Sequence, residues 1–171
     1  MRGDLKIPSF FYSMITKQLV RKLAEERIDE LDRGLFIVNI SISSSFVIHL
    51  ELDKTEGYVA IEDCISVSRN VEHNLDRESQ DFELHVSSAG LDKPLRVLPQ
   101  FVKNIGKEVT LKLSDKVKKQ GVLVAVTKEA LTLETTRVEK IEGKKKKETI
   151  VEQEVYPMAS IKETKIVISF K

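Results

Sequence analysis

The segment Phe82–Arg96, FELHVSSAGLDKPLR, divides this chain of 171 residues into two parts of different character. It opens with alternating apolar and polar side chains, which is typical of a strand. Small residues ending in Gly90 then allow a tight turn, and Pro94 stiffens the chain beyond that turn. We therefore interpret the segment as a joint between two domains.

The two parts differ in formal charge, although the whole chain carries a net charge of only +1. Residues 1–90 contain 10 Lys+Arg and 16 Asp+Glu, whereas residues 91–171 contain 18 and 11. The basic part suits a partner that bears phosphates, and the acidic part suits a basic protein. An imbalance of this size also occurs as ordinary surface variation, and composition alone leaves both interpretations open.

Apolar spacing in residues 1–90 predicts an α-β-β-α-β order. Two helices packed on one face of a small mixed sheet would bury both amphipathic faces, which gives a two-layer α+β sandwich. Ser9 is the candidate cap of the first helix, and Gly34 suits a left-handed position after it. The predicted elements are a helix over 9–32, a strand hairpin over 35–42 and 46–52, a helix over 61–75 and a strand over 82–86.

Beyond residue 103 the apolar period becomes two, which predicts a small all-β barrel. Gly121-x-Leu-x-x-Val, followed by Leu131-Thr-Leu, is similar to the bent strand pair of SH3-like and Sm-like barrels. The predicted strands are 109–113, 121–126, 130–134, 150–155 and 166–170, with short helical turns over 97–102 and 157–161. The predicted domains are an acidic α/β domain over 1–90, a joint over 91–102 and a basic SH3-like barrel over 103–171.

Catalytic and metal-binding motifs do not emerge from the sequence. His49, His73 and His85 lack the spacing of a local metal motif, and Cys64 falls on an apolar helix stripe rather than in a cationic neighbourhood. The acidic pair Glu62–Asp63 is explained by the dipole at a helix start. We therefore expect a protein that is not an enzyme and that has no metal ion or cofactor.

The expected location is the cytoplasm, with no membrane partner. No run approaches the roughly 18 apolar residues of a membrane span, and the N-terminal residues lack the apolar core of a signal peptide. A single cysteine, which cannot form an internal disulfide, fits a reducing compartment.

Clustered lysines in predicted hairpin loops of the basic part are candidate contacts for RNA phosphates. Solubilising surface lysines are the alternative, and they are favoured for the Lys144–Lys147 run because Glu142 and Glu148 flank it. The predicted basic patch for RNA contacts consists of Lys116, Lys118, Lys119, Lys144, Lys145, Lys146 and Lys147.

Two segments resemble the bacterial ribosome maturation factor RimP family. Residues 61–69, IEDCISVSR, are similar to the family's Asp-Asp-Cys-Ala-x-Val-Ser-Arg pattern, and Val86–Leu95 is similar to its Ser-Ser-Pro-Gly-Leu-Asp-Arg-Pro-Leu run. Ala89 stands where a proline is usual, and Lys93 where an arginine is usual. Lys93 keeps the positive charge but loses the forked hydrogen bonding of a guanidinium group.

The resemblance implies an α/β domain followed by an SH3-like barrel, in a monomeric assembly factor for the small (30S) ribosomal subunit. Such a factor binds the immature particle through 16S rRNA and supports incorporation of small-subunit ribosomal protein twelve. We expect the joint to set the angle between the two domains and to supply interface residues, although Asp92 and Arg96 suit a domain–domain salt bridge equally well. The predicted binding residues are Ser87, Ser88, Gly90, Asp92, Lys93, Pro94 and Arg96.

Two other function classes remain open at this point. One is a free-standing RNA regulator of Sm-like type, which would bind small RNAs without the ribosome. The other is a protein-only adaptor, in which the basic part serves solubility alone.

Overall fold

The computed structural model of this protein describes residues 15–140, 142–143 and 146–168. The chain divides into two compact units, residues 1–89 and residues 90–171, and each has its own hydrophobic core. We call them the acidic unit and the basic unit. No helix within the described ranges is both long enough and apolar enough to cross a membrane.

The acidic unit has the predicted α-β-β-α-β order. Its first two strands form an antiparallel hairpin, and the third lies parallel to the second, so that the sheet order is β1-β2-β3 with β3 at an edge. The elements are α1 (Lys17–Leu31), β1 (Leu35–Ile42), β2 (Val47–Lys54), α2 (Ile61–His73) and β3 (Glu83–Ser88).

Helix α1 starts later than the predicted residue 9. Thr16 has an extended backbone, and its hydroxyl accepts the Leu19 N–H at 3.1 Å, so Thr16 is the N-terminal cap. Ser9, the predicted cap, lies outside the described residues. At the other end Asp32 is left-handed (φ 48°), and Gly34 has the expected positive φ of 74°.

Helices α1 and α2 both contribute to the core that covers one face of the sheet in the acidic unit. Val20 of α1 and Val67 of α2 are fully buried there, together with Ile48, Leu50 and Leu52 from alternate positions of β2. The intervening residues of the strands project from the opposite face, where the rings of His49 and His85 stack at 5.0 Å. The predicted two-layer arrangement is therefore confirmed for this unit.

The described residues of the basic unit form one short helix and a five-stranded antiparallel sheet in the order β7-β6-β5-β4-β8. The side chains of one face of the sheet, which we call the inner face, form the core with Phe101. The elements are α3 (Leu98–Lys103), β4 (Glu108–Leu113), β5 (Lys118–Val126), β6 (Ala130–Lys140), β7 (Lys147–Pro157), a 3-10 turn (Met158–Ser160) and β8 (Ile161–Ile166).

The predicted last strand over 166–170 is wrong in position. Strand β8 pairs with β4 from Ile161 to Ile166, and the Val167 N–H donates one further hydrogen bond to the Glu108 carbonyl at 2.9 Å. Because β4 begins at Glu108, it offers no partner beyond that point. Residues 167–168 lie outside the strand, and residues 169–170 lie outside the described part of the chain.

The predicted barrel is only partly supported. The unit is rich in β-structure, as expected, but over the described residues no ladder joins β7 to β8, so the hydrogen-bonded sheet is open. Closure into an SH3-like barrel therefore stays a prediction.

Gly121 marks a close approach between β5 and β6. A Cβ atom at this position would lie 2.9 Å from the Glu134 carbonyl oxygen and 3.1 Å from the Thr135 Cγ2 atom. The backbone carbonyl cannot rotate away as a flexible side chain would, so only glycine lets the two strands approach so closely.

We expect Gly121→Ala to destabilise the basic unit by about 1–3 kcal/mol, because the added methyl group forces β5 and β6 apart. Amide hydrogen exchange should become faster in β5 and β6 and stay unchanged in α1 and α2. Unchanged exchange in β5 and β6 would show that the strands accommodate the methyl group.

Candidate functional site

The first family-like segment, residues 61–69, and the start of the second, residues 86–88, line a common groove in the acidic unit. Helix α2 supplies one wall and the edge strand β3 supplies the other. Ile61 and Ile65 are 76% and 45% exposed, which is unusual for isoleucine and gives the α2 wall an apolar rim. The lining residues include Ile61, Cys64, Ile65, Ser68, Arg69, Val86, Ser87 and Ser88.

The buried carboxylate of Asp63 anchors the first turn of α2. This carboxylate is 1% exposed, accepts the Ala60 N–H at 3.2 Å and receives the Arg33 guanidinium at 2.7 Å. Asp63 thus ties the turn after α1 to the first turn of α2. The helix dipole alone accounts for exposed Glu62 but not for this buried contact, and local sequence patterns gave no sign that Arg33 was the partner.

Cys64 lies on the α2 wall and is partly buried. Burial raises the pKa of the Cys64 thiol, and the neighbouring Asp63 carboxylate raises it further. Both effects disfavour the thiolate, which is the nucleophilic form. Within the described ranges, no three His, Cys, Asp or Glu side chains come together in a way that could hold a metal ion.

Ser87 and Ser88 are the only predicted joint residues that belong to the acidic unit. They end β3, where they pair with Glu51 and Leu52 of β2. The Ala89 N–H donates to the Leu52 carbonyl at 2.7 Å and extends the ladder by one residue. Both serines are exposed and reach the groove, which local sequence reasoning did not predict.

The remaining joint residues lie at the beginning of the basic unit. The Lys93 N–H donates to the Gly90 carbonyl at 3.1 Å, so residues 90–93 form the expected tight turn. The chain after Pro94 is held by Leu95, whose N–H donates to the Thr164 carbonyl at 2.8 Å. The side chains of Asp92, Lys93 and Arg96 are exposed.

Buried Gln100 fixes the chain where it enters α3. Its side-chain oxygen accepts the backbone N–H groups of Arg96 at 2.7 Å and Val97 at 3.2 Å. Arg96 therefore has a well-defined backbone although its side chain is exposed.

The predicted loop position of Lys118 and Lys119 is wrong, because both belong to β5. Lys118 pairs with Lys112 and Lys119 pairs with Leu111 of β4, so their side chains project from opposite faces of the sheet. Lys116 does lie in the turn between β4 and β5, with a positive φ of 71°.

The second group of predicted lysines lies at the turn between β6 and β7. Lys147 opens β7 opposite Lys140, and Lys146 precedes it as an exposed residue. Lys144 and Lys145 lie outside the described residues. Because the strands are antiparallel, this turn and the β4–β5 turn lie at the same end of the sheet.

Known proteins match this chain over nearly its whole length. The RimP N-terminal domain family matches residues 23–92. The ribosome maturation factor RimP of Christiangramia forsetii is 40% identical over 154 residues, which cover 90% of this chain and 99% of that protein. The ribosome maturation factor RimP of Flavobacterium psychrophilum is 36% identical, with coverage of 92% of this chain and 100% of that protein. The ribosome maturation factor RimP of Porphyromonas gingivalis is also 36% identical, with coverage of 86% of this chain and 94% of that protein.

The chain belongs to the ribosome maturation factor RimP family. The family resemblance of residues 61–69 and 86–95 thus has a structural counterpart in this RimP member. The first segment and the start of the second form the two walls of the α2–β3 groove, and Asp63 anchors the α2 wall.

We expect Asp63→Ala to destabilise the acidic unit by roughly 2–3 kcal/mol, since it leaves the Ala60 N–H unpaired and removes the contact with Arg33. Urea unfolding followed by circular dichroism at 222 nm measures the loss, because the two long helices of the described residues, α1 and α2, belong to this unit. Glu62→Ala, in the same helical turn, is the matched control and should cost less than about 1 kcal/mol. Equal losses for the two variants would contradict the anchoring role of Asp63.

Proposed function

We propose that this protein is a non-catalytic assembly factor for maturation of the small (30S) ribosomal subunit and that it binds the immature particle. The observation that carries the proposal is the match to proteins named ribosome maturation factor RimP over at least 94% of their length. A match of that extent includes both units rather than one shared domain. The proposed setting is the cytoplasm, and the proposed active form is a monomer.

The basic unit is the proposed partner of 16S rRNA. Its formal charge is positive, with 18 Lys+Arg against 11 Asp+Glu over residues 91–171. The two lysine-bearing turns lie at one end of its sheet, so a single phosphate backbone can approach both. An SH3-like barrel is the proposed fold of this unit, and the order of its five antiparallel strands supports that assignment.

The acidic unit is the proposed partner of a basic ribosomal protein, small-subunit protein twelve. Residues 1–90 carry 16 Asp+Glu against 10 Lys+Arg, which favours a basic partner. The outer edge of β3 is free of sheet partners within the described ranges, and an extended segment can add to such an edge. Side chains of that segment would enter the α2–β3 groove. Asp92, Lys93 and Arg96, which belong to the basic unit, are proposed separately as interface residues.

A deletion strain tests the function directly. We expect immature small subunits to accumulate on a sucrose gradient, and the wild-type gene on a plasmid should restore the profile. A normal subunit profile in the deletion strain would contradict the proposal and favour a protein-only adaptor or a free-standing RNA regulator.

Co-sedimentation with free small subunits at increasing salt tests the role of the basic unit. The double variant Lys118→Glu/Lys119→Glu should bind more weakly, and the logarithmic salt slope should fall by about 1 because fewer phosphates are neutralised. Lys17→Glu/Lys22→Glu makes the same charge change on exposed positions of α1 and is the matched control. Binding that is unaffected by the first variant would remove β5 from the rRNA interface.

A further inference from the structure

The hairpin of β6 and β7 extends well beyond the core of the basic unit. The two strands pair without interruption from Ala130 and Pro157 to Lys140 and Lys147. Near the first end, Leu131 and Tyr156 are buried in the core. From residue 135 to 140 and from 147 to 152, however, nearly every side chain is exposed, and we call these two stretches the ribbon.

The ribbon separates its charges between two faces. Because side chains alternate along each strand, the residues that continue the inner face are Thr135, Arg137, Glu139, Glu148, Ile150 and Glu152. This face holds all the carboxylates of the ribbon, and its one cation, Arg137, contacts Glu139 at 3.2 Å and Glu152 at 3.0 Å.

The opposite face of the ribbon, its outer face, carries no carboxylate. It consists of Thr136, Val138, Lys140, Lys147, Thr149 and Val151. Val138 and Val151 are 61% and 55% exposed, so an uncharged strip of valine and threonine leads to two lysines. Exposed β-branched side chains on a ribbon that covers no core of its own indicate a contact surface.

Lysines on this face lie opposite one another. Lys140 and Lys147 are direct cross-strand neighbours, and like charges in that position destabilise a sheet until a counter-charge approaches. Lys118 and Lys112 form a second such pair on the same outer face, where Glu163 of β8 lies on the other side of Lys112. The outer face thus presents positive charge at the end of the sheet that bears both lysine-rich turns.

The chemistry of the outer face fits double-helical RNA better than unpaired RNA. Proteins bind unpaired bases largely by stacking aromatic side chains on them, but both aromatic residues in the described part of the basic unit, Phe101 and Tyr156, are buried. Duplex RNA is bound through its phosphates and through the 2′-hydroxyl groups that line its wide, shallow minor groove. Threonine hydroxyls can form hydrogen bonds with the 2′-hydroxyl groups, and the flanking lysines can bind the phosphates.

We propose that the outer face of the ribbon lies along the minor groove of a double-helical RNA segment. Val138 and Val151 cover ribose rings, Thr136 and Thr149 meet 2′-hydroxyl groups, and the lysine pair Lys140–Lys147 meets phosphates. Lys118, on the same face of the sheet, reaches a neighbouring phosphate. This inference rests on the proposed function in one respect, namely that the basic unit binds rRNA.

Two adjacent threonines provide a matched test. Thr136 lies on the outer face and Thr135 on the inner face, both are exposed, and the same glutamate substitution can be made at either. Binding of the full-length protein to a fluorescently labelled RNA hairpin of about 16 base pairs is measured by anisotropy. A DNA hairpin of the same sequence and an unpaired RNA of equal length are the competing ligands.

We expect Thr136→Glu to weaken RNA-hairpin binding about tenfold, and Thr135→Glu to change it less than about twofold, because only the first places a carboxylate against the phosphates. Lys118→Glu should lower the logarithmic salt slope by about 1, whereas Lys119→Glu, on the opposite face of β5, should leave it unchanged. The wild-type protein should prefer the RNA hairpin to both competing ligands.

Equal effects of Thr135→Glu and Thr136→Glu would overturn the assignment of the outer face. Equal affinity for the RNA and DNA hairpins would overturn the role of the 2′-hydroxyl groups. If Thr136→Glu lowers co-sedimentation with small subunits but not hairpin binding, the face contacts a protein and the RNA assignment is wrong. Each of these results leaves the deletion phenotype intact, so failure of this inference is distinguishable from failure of the proposed function.

Discussion

The alternation of side chains along a β-strand is the constraint on which both units depend. Each sheet can bury only one of its faces against its own core, so every second residue of a strand remains available to a partner. In the acidic unit the helices cover one face and leave β3 as an open edge beside α2. In the basic unit the core takes the inner face, and the outer face presents Lys118, Lys140 and Lys147.

The buried carboxylate of Asp63 supports the α2–β3 groove of the acidic unit. Asp63 links the turn after α1 with the first turn of α2, and α2 in turn supplies the exposed isoleucines of the groove. Residues of the family-like segment 61–69 therefore have two roles. Ile61, Cys64, Ile65, Ser68 and Arg69 line the groove, and Asp63 anchors the helix that carries these residues.

The sequence alone predicted the helices and strands whose apolar side chains recur at a regular spacing along the chain. The order of the acidic unit, β1 at 35–42 and the start of α2 at Ile61 follow from apolar spacing alone. The ribbon was predicted only in part: a strand was expected over 150–155, but the strand that became β6 was expected to end at residue 134. Residues 135–140 are exposed on both faces, which removes the apolar–polar alternation that identifies a strand. Lys118 and Lys119 were placed in a loop because lysine-rich segments resemble loops, whereas pairing with β4 keeps them in β5. The contact of Asp63 with Arg33 joins residues 30 positions apart and has no local signal.

We propose a division of labour in which the acidic unit binds a basic ribosomal protein and the basic unit binds rRNA. Cross-linking of the full-length protein on the immature small subunit tests it most directly, with ultraviolet light for RNA and a zero-length carboxyl–amine reagent for protein. We expect RNA adducts within residues 105–168 and protein cross-links from carboxylates of residues 17–89. RNA adducts in the acidic unit, together with protein cross-links confined to the basic unit, would contradict it.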